Sequence, residues 1–454
     1  MDAERNDRDG ADWRFLSAVP RIEWPALPAA ESAAAAALFL QLERSQWLPA
    51  HRLAERRDAQ LDALLRFAYD TVPYYRQSFG FRPDARRLEE LPLLRRADLQ
   101  RHASALFSHD VPAGHGAMAE SRTSGSTGTP VRVLKTALLG AFWRALTLRD
   151  HAWHRRQLAG SLAVIRKGAG RGSQPSWGPA TAGWVETGPC MLLDVDADTG
   201  TQLEWLRRHD PDYLLTYPSL AAELARLALR ERLPARRLRE VRTFGEILPP
   251  EVRDLCREAW GVPIVDLYSA EEVGYIALQC PSGEHYHVQA ESVHVEVLDD
   301  AGRACAPGEV GRVVVTDLHN FATPLVRYEI GDYAEAGSRC SCGRGLPVLR
   351  RVIGRARNML VDSAGRRYWP SLGVRAFAEI APVLQHQFVQ AAPGLIEARL
   401  VTATPLTAAQ EQALRERILS RLPAGFRVLF VPCERIERGP GGKYEDFVSH
   451  VDRA

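Results

Sequence analysis

Apolar residues recur at helical spacing early in the chain, first at Leu38 and Leu42 and then at Leu61, Leu64, Leu65 and Ala68, with Pro49 between the two runs. A proline inside such a pattern removes a backbone donor and breaks the helix, so two helices are predicted between Glu31 and Tyr69. They open a helical lead-in over about residues 31–110. Beyond Val131 the pattern changes. Short aliphatic runs at Val131–Leu134, Leu162–Ile165, Tyr213–Thr216, Glu240–Phe244 and Pro263–Tyr268 are separated by helix-length stretches at Leu138–His154, Thr201–Arg208, Ser219–Glu231 and Pro250–Trp260. Strands alternating with helices predict a layered α/β domain with a parallel sheet. Past Val288 the segments His294–Leu298, Gly311–Asp317 and Val326–Tyr328 read as antiparallel strands of a β-rich subdomain. The last hundred residues form a separable α+β unit: strand Met359–Val361, helix Ser371–Ile380, strands around 385–402, helix Ala408–Arg421 and strand Phe426–Val431. The expected class is α/β, with a large N-terminal domain over 1–353 and a small C-terminal domain over 354–454.

At 454 residues the chain exceeds one ordinary core, so length alone predicts two or three domains. The net charge of +2, from 58 basic against 56 acidic residues, gives no bias toward nucleic acid or anionic membranes. The longest apolar run, Ala33–Leu40, is too short for a membrane span and starts too late for a usual signal peptide, so a cytoplasmic location is expected. Seven cysteines, odd in number and sparse, argue against a disulfide framework.

Candidate chemistry starts at Ser121-Arg-Thr-Ser-Gly-Ser-Thr-Gly-Thr-Pro130. Gly125 and Gly128 let backbone amides approach an anion, while Thr123, Ser124, Ser126, Thr127 and Thr129 add hydroxyls, so the segment reads as a phosphate-cradling loop. No Gly-Lys-Ser/Thr follows, which excludes a P-loop. Downstream come Tyr268-Ser-Ala-Glu-Glu272, Arg327-Tyr-Glu-Ile-Gly-Asp332, Gly354-Arg355 and Gly441-Gly442-Lys443. In this order the motifs resemble those of adenylate-forming enzymes, in the branch of phenylacetate-CoA ligases and coenzyme F390 synthetase-like proteins, over roughly residues 60–450.

The resemblance implies an ATP-dependent enzyme that converts a carboxylic acid, aromatic or otherwise hydrophobic, to an acyl-adenylate and then to a CoA thioester. It implies that the loop 123–129 holds phosphates and that Glu272 ligates Mg²⁺. Asp332 would take the ribose hydroxyls with Arg355 nearby, and Tyr268, Ser269 and the segment Phe244-Gly245-Glu246 would surround the adenylate. Lys443 would be the catalytic lysine carried by a mobile C-terminal domain. The entry segments Val72–Arg76 and Leu91–Leu99 are assigned to architecture alone. Three positions depart from the family pattern: Ser269 stands for Gly, Glu271 for Thr, and Arg357 for the usual hinge aspartate. The acceptor stays open between CoA, a carrier protein and an amine, as does a nucleotide-binding homologue without turnover.

Cys280, His285, His287, Cys340 and Cys342 supply thiols and imidazoles in two short clusters, from which four can close a tetrahedral Zn²⁺ site. By resemblance the set is Cys280, His287, Cys340 and Cys342, with His285 the alternative to His287. Trp143, Trp153, Trp177, Trp184 and Tyr217 are candidates to line the acyl pocket.

Overall fold

Pro49 separates helices Ala30–Ser45 and Ala50–Thr71, standing as the N-cap of the second. The computed structural model describes residues 13–122, 130–355, 358–370, 377–439 and 441–451. The loop 123–129 and Arg357 lie outside the described residues. Leu61, Leu64, Leu65 and Ala68 share the buried face of the second helix and pack against Val313, Val315 and Tyr328 of the β-rich region. Tyr75 locks this union, donating its hydroxyl to Pro324 O at 2.8 Å and accepting Val326 N–H at 3.0 Å. Leu94–Arg95 adds a short parallel pairing to Tyr328–Glu329, which brings the following helix, Arg96–Arg101, to the sheet.

The alternation read from the sequence becomes one long mixed sheet. Its parallel part runs in the order Cys190–Asp194, Leu162–Arg166, Tyr213–Thr216, Glu240–Phe244 and Ile264–Ala270. Gly274–Gln279 returns antiparallel, followed by Tyr286–Val288, Val348–Arg355, Tyr328–Ala336, Val310–Asp317 and Val293–Leu298. Gly172–Gln174 pairs with Cys190–Asp194 as an antiparallel edge strand.

Side chains of successive strand residues point to opposite faces. Ala163, Ile165, Leu214 and Val241 therefore meet the helices Thr199–His209, Pro218–Glu231 and Pro250–Trp260 in one core. Leu162 and Val164 point the other way, into a smaller core with Tyr213 and Trp177. Arg242 also takes that face, reaching Asp150 on the helix Ala137–Trp153.

The C-terminal unit has its own sheet, in the order Arg427–Pro432, Leu395–Thr402, Val383–Ala392 and Phe447–Ser449. The helix Ala408–Leu419 starts at a Thr407/Gln410 capping box and buries Leu414 and Ile418 against Phe388 and Ile396. Val348–Arg355 is hydrogen-bonded within the large sheet, and the separate core starts at Leu360. Of the helix expected over 371–380, the described residues show Phe377–Ile380. No helix among the described residues is long and apolar enough to cross a membrane.

One backbone contact ties the junction of the first two helices to the sheet. Gly345 N–H donates to Gln46 O at 2.9 Å, and a Cβ at Gly345 would overlap the Leu48 carbonyl oxygen. Gly345→Ala is expected to lower the free energy of unfolding by roughly 2 kcal/mol, measured by urea titration, because backbone must move to admit the methyl group.

Candidate active site

The antiparallel register of Tyr328–Ala336 and Val348–Arg355 places Asp332 directly across from Arg355. Arg355 Nε lies 3.3 Å from Asp332 Oδ1, and Tyr268 donates its hydroxyl to Oδ2 at 2.8 Å. Burial, and then the Asp332 charge, push the Tyr268 phenol well above its ordinary pKa. Tyr268 thus remains a donor that fixes the carboxylate.

Glu272 follows the end of the strand Ile264–Ala270 and is buried. Its Oε1 accepts a 3.1 Å hydrogen bond from Arg96 Nη1. Arg96 belongs to the entry segment assigned to architecture alone, and the structure brings it into the site. Glu271 turns to the strands that flank the loop 123–129. Its Oε1 accepts Ser121 Oγ–H at 2.6 Å, and its carbonyl oxygen accepts from Lys135 Nζ. Ser269 lines the same cleft.

Lys443 reaches this group from the C-terminal unit. Gly245 has φ +78°, and a Cβ there would stand 3.2 Å from Lys443 Cε, so the missing side chain leaves the lysine its channel. Burial, followed by the Arg355 charge, lowers the Lys443 pKa, while Asp332, Glu246 and Glu272 oppose that shift. Two carboxylates expected to hold nucleotide and metal therefore share one cleft with Lys443 and Arg355.

Glu246 docks the lysine's own loop. Its carboxylate accepts Ser219 N–H at 2.9 Å and Tyr444 N–H at 2.6 Å, with Arg438 Nη1 3.5 Å away. Burial raises the Glu246 pKa, and Arg438 works against that. Arg438 also donates to Ser219 Oγ at 2.8 Å and to Glu223 at 3.0 Å, while Tyr217 OH donates to Gly441 O at 3.2 Å. Arg438 opens the loop that carries Lys443 and Glu223 lies on the helix Pro218–Glu231; the two belong to different units and meet only through folding.

The cleft has a volume of about 2670 Å³. Trp143, Trp177 and Tyr217 line it. Trp153 instead lies edge-on to His287 at 5.8 Å, and Trp184 packs on Phe15 and Phe39. Under the cleft sits a charged cluster. Asp150 Oδ2 accepts from Arg156 Nη1 and Arg242 Nη2, each at 2.7 Å, and Arg156 Nε donates to Glu240 at 2.7 Å. Burial alone would raise the Asp150 pKa, but the two guanidiniums override it and hold the group well below the carboxylate range.

The thiol and imidazole residues converge as well. Ligand atoms of Cys280, His285, His287 and Cys340 all lie within 4.8 Å of one another, with His285 Nε2 3.0 Å from Cys340 Sγ. Both histidines therefore enter the cluster, and Cys342 stands beside it, its Sγ 3.4 Å from His287 Nε2. The cluster bridges the hairpin Gly274–Val288 to the turn before Val348.

A sheet of this order, a separate C-terminal unit and a lysine delivered by that unit define the adenylate-forming fold, and comparisons agree. No family model matches the chain. It is 26% identical over 442 residues to the phenylacetate-coenzyme A ligase of Thermus thermophilus, covering 87% of this chain and 96% of that protein. It superposes on 2-hydroxyisobutyryl-CoA ligase in the postadenylation state with a TM-score of 0.71 at 21% identity, over 90% of this chain and 91% of the other. Against the same ligase in its thioesterification state the TM-score is 0.58, at 21% identity over 90% and 92% of the two chains. The chain is thus similar to phenylacetate-CoA ligases at 25–26% identity and shares the fold of the superposed CoA ligase.

His154 packs beside the buried cluster, 3.8 Å from Asp150 Oδ1, and burial followed by Arg156 lowers its pKa to about 4. Between pH 6.5 and 4 the unfolded chain binds a proton at this residue that the native protein does not, so stability falls as pH falls through that window. The expected loss is up to about 3 kcal/mol, at 1.36 kcal/mol per pKa unit. Urea titrations at pH 7 and pH 4.5 check this, and His154→Gln should make the pH dependence shallower.

Proposed function

We propose that the protein is an AMP-forming acid-CoA ligase. A carboxylate attacks the α-phosphorus of ATP, giving an acyl-adenylate and pyrophosphate, and the thiol of CoA then displaces AMP to give the thioester. The observation that carries this reading is Lys443, whose side chain runs past Gly245 into the cleft that also holds Asp332, Arg355 and Glu272. Adenylation gathers several negative charges at one phosphorus, and a fixed ammonium and guanidinium there stabilise the transition state more than in water. Asp332, whose two oxygens are fixed by Tyr268 and Arg355, presents the paired acceptors that a ribose diol needs. The higher similarity to the postadenylation form than to the thioesterification form supports an arrangement set for this first half-reaction.

Glu272 is a single buried carboxylate, which suits Mg²⁺, an ion that takes one or two protein carboxylates and fills its shell with phosphates and water. Bound there, Mg²⁺ would neutralise phosphate charge, and Arg96 would keep Glu272 turned toward the site. The Cys280, His285, His287 and Cys340 donors fit a tetrahedral Zn²⁺, and the buried His287 Nδ1 has no hydrogen-bond partner among the described residues. Four protein ligands leave no open position, so the role of that ion is structural. Seven unpaired cysteines support a reducing, cytoplasmic setting.

The test is acid-dependent pyrophosphate release over a panel of aromatic and aliphatic acids, with and without CoA. Lys443→Ala should slow release about 100-fold or more while ATP still binds. Acyl-CoA should form when CoA is present; release without thioester would move the acceptor to a carrier protein or an amine, and no release with any acid would overturn the ligase reading. Purified protein should carry about one zinc per chain by elemental analysis, lost in Cys280→Ser with Cys340→Ser.

A further inference from the structure

The acyl side of the cleft has polar chemistry that a simple aromatic acid would leave unused. Trp143, Thr147 and His151 are spaced four apart on the helix Ala137–Trp153 and line the cleft along one helical face. From Trp143 to His151 the helix descends roughly 12 Å. Aromatic rings form the walls. Trp143 stacks on Tyr275 with centroids 6.2 Å apart, and Trp177 stands edge-on to His151 at 5.3 Å. His151 and Arg242, both buried, close the deep end.

The protons at that end can be assigned. Arg156 Nη1 lies 3.2 Å from His151 Nδ1, and a guanidinium can only donate, so Nδ1 is the acceptor. Burial, then Arg242 and Arg156, keep the imidazole neutral, which puts its proton on Nε2. Nε2 makes no hydrogen bond among the described residues. Arg242 uses Nη2 on Asp150, and its other guanidinium nitrogens have no partner among the described residues. Thr147 gives its proton to Trp143 O at 2.8 Å, so Tyr275 OH donates to Thr147 Oγ1 at 3.0 Å and keeps its own oxygen as an acceptor. The floor therefore offers two donors and one acceptor. Asp150 and Glu240 balance the charges of Arg156 and Arg242, so the site has no excess positive charge for a second carboxylate.

Resting on the ligase reading above, we infer that the acid activated here carries a neutral oxygen, a hydroxyl in the first instance, at the end remote from its carboxylate, and that His151 and Arg242 select it. A hydroxyl accepts from His151 or Arg242 and donates to Tyr275. A purely apolar acyl end would bury those donors unpaired, and a site built for a polar group discriminates strongly against the analogue lacking it.

The test measures kcat/KM for acid-dependent pyrophosphate release on matched pairs: phenylacetate and 4-hydroxyphenylacetate, cinnamate and 4-hydroxycinnamate, hexanoate and 6-hydroxyhexanoate. In at least one pair the wild-type protein should favour the hydroxylated member by about tenfold or more. His151→Phe should erase that preference, read as the ratio of kcat/KM between the two members of each pair. Equal or reversed preference in every pair overturns the inference and leaves the ligase reading standing, as does a preference for terephthalate over all hydroxylated acids. Failure of every acid to release pyrophosphate removes the ligase reading and this inference together. The wild-type comparison decides the outcome even if the variant does not fold.

Discussion

The buried carboxylate of Glu246 is the contact on which the site depends. It takes one backbone N–H from the start of the helix Pro218–Glu231 and one from Tyr444, the residue after the lysine. Two distant chain segments, at Ser219 and Tyr444, thus end on one carboxylate, with Arg438 supplying the countercharge. Removing one side of such a buried set leaves the other unsatisfied, and that costs more than the intact set contributes. Lys443 inherits its position from this arrangement, being held at its base by Tyr444 and guided along its length by the space at Gly245.

Much of this was legible in the sequence, and for physical reasons. Aliphatic runs separated by helix-length segments gave the parallel core, because strand and helix periods leave different patterns. Asp332 and Arg355 were found by motif order, and antiparallel register then put them opposite each other. Arg96 was missed because nothing local distinguishes it from its neighbour Arg95; only the short pairing of Leu94–Arg95 with Tyr328–Glu329 carries it to Glu272. The tryptophans show the same limit. Composition offered five aromatic candidates for the acyl pocket, and packing sent Trp153 to the Cys/His cluster and Trp184 to the lead-in. For zinc, the sequence supplied five donors and could not order them, since the choice depends on how the hairpin Gly274–Val288 turns its histidines.

The cluster under the cleft shows how electrostatics and recognition share residues. Asp150, Arg156, Glu240 and Arg242 neutralise one another out of water, an arrangement that is seldom a net source of stability. Its effect is instead on geometry, since each guanidinium is held in place by a carboxylate. The same fixing sets the tautomer of His151. Hydrogen-bond polarity at the cleft floor therefore follows from the ion pair in direct contact with it.

The docking of the C-terminal unit also bears on speed. If Lys443 must withdraw before the thiol can reach the adenylate, every contact made by Arg438, Tyr444 and Gly441 is broken and remade in each catalytic cycle. A clamp strengthened by 1.4 kcal/mol in the docked state alone would slow its release about tenfold. Selection for turnover would then favour an interface just strong enough to close, which gives a physical reason for joining the two units through a few charged and backbone contacts at the cleft rim.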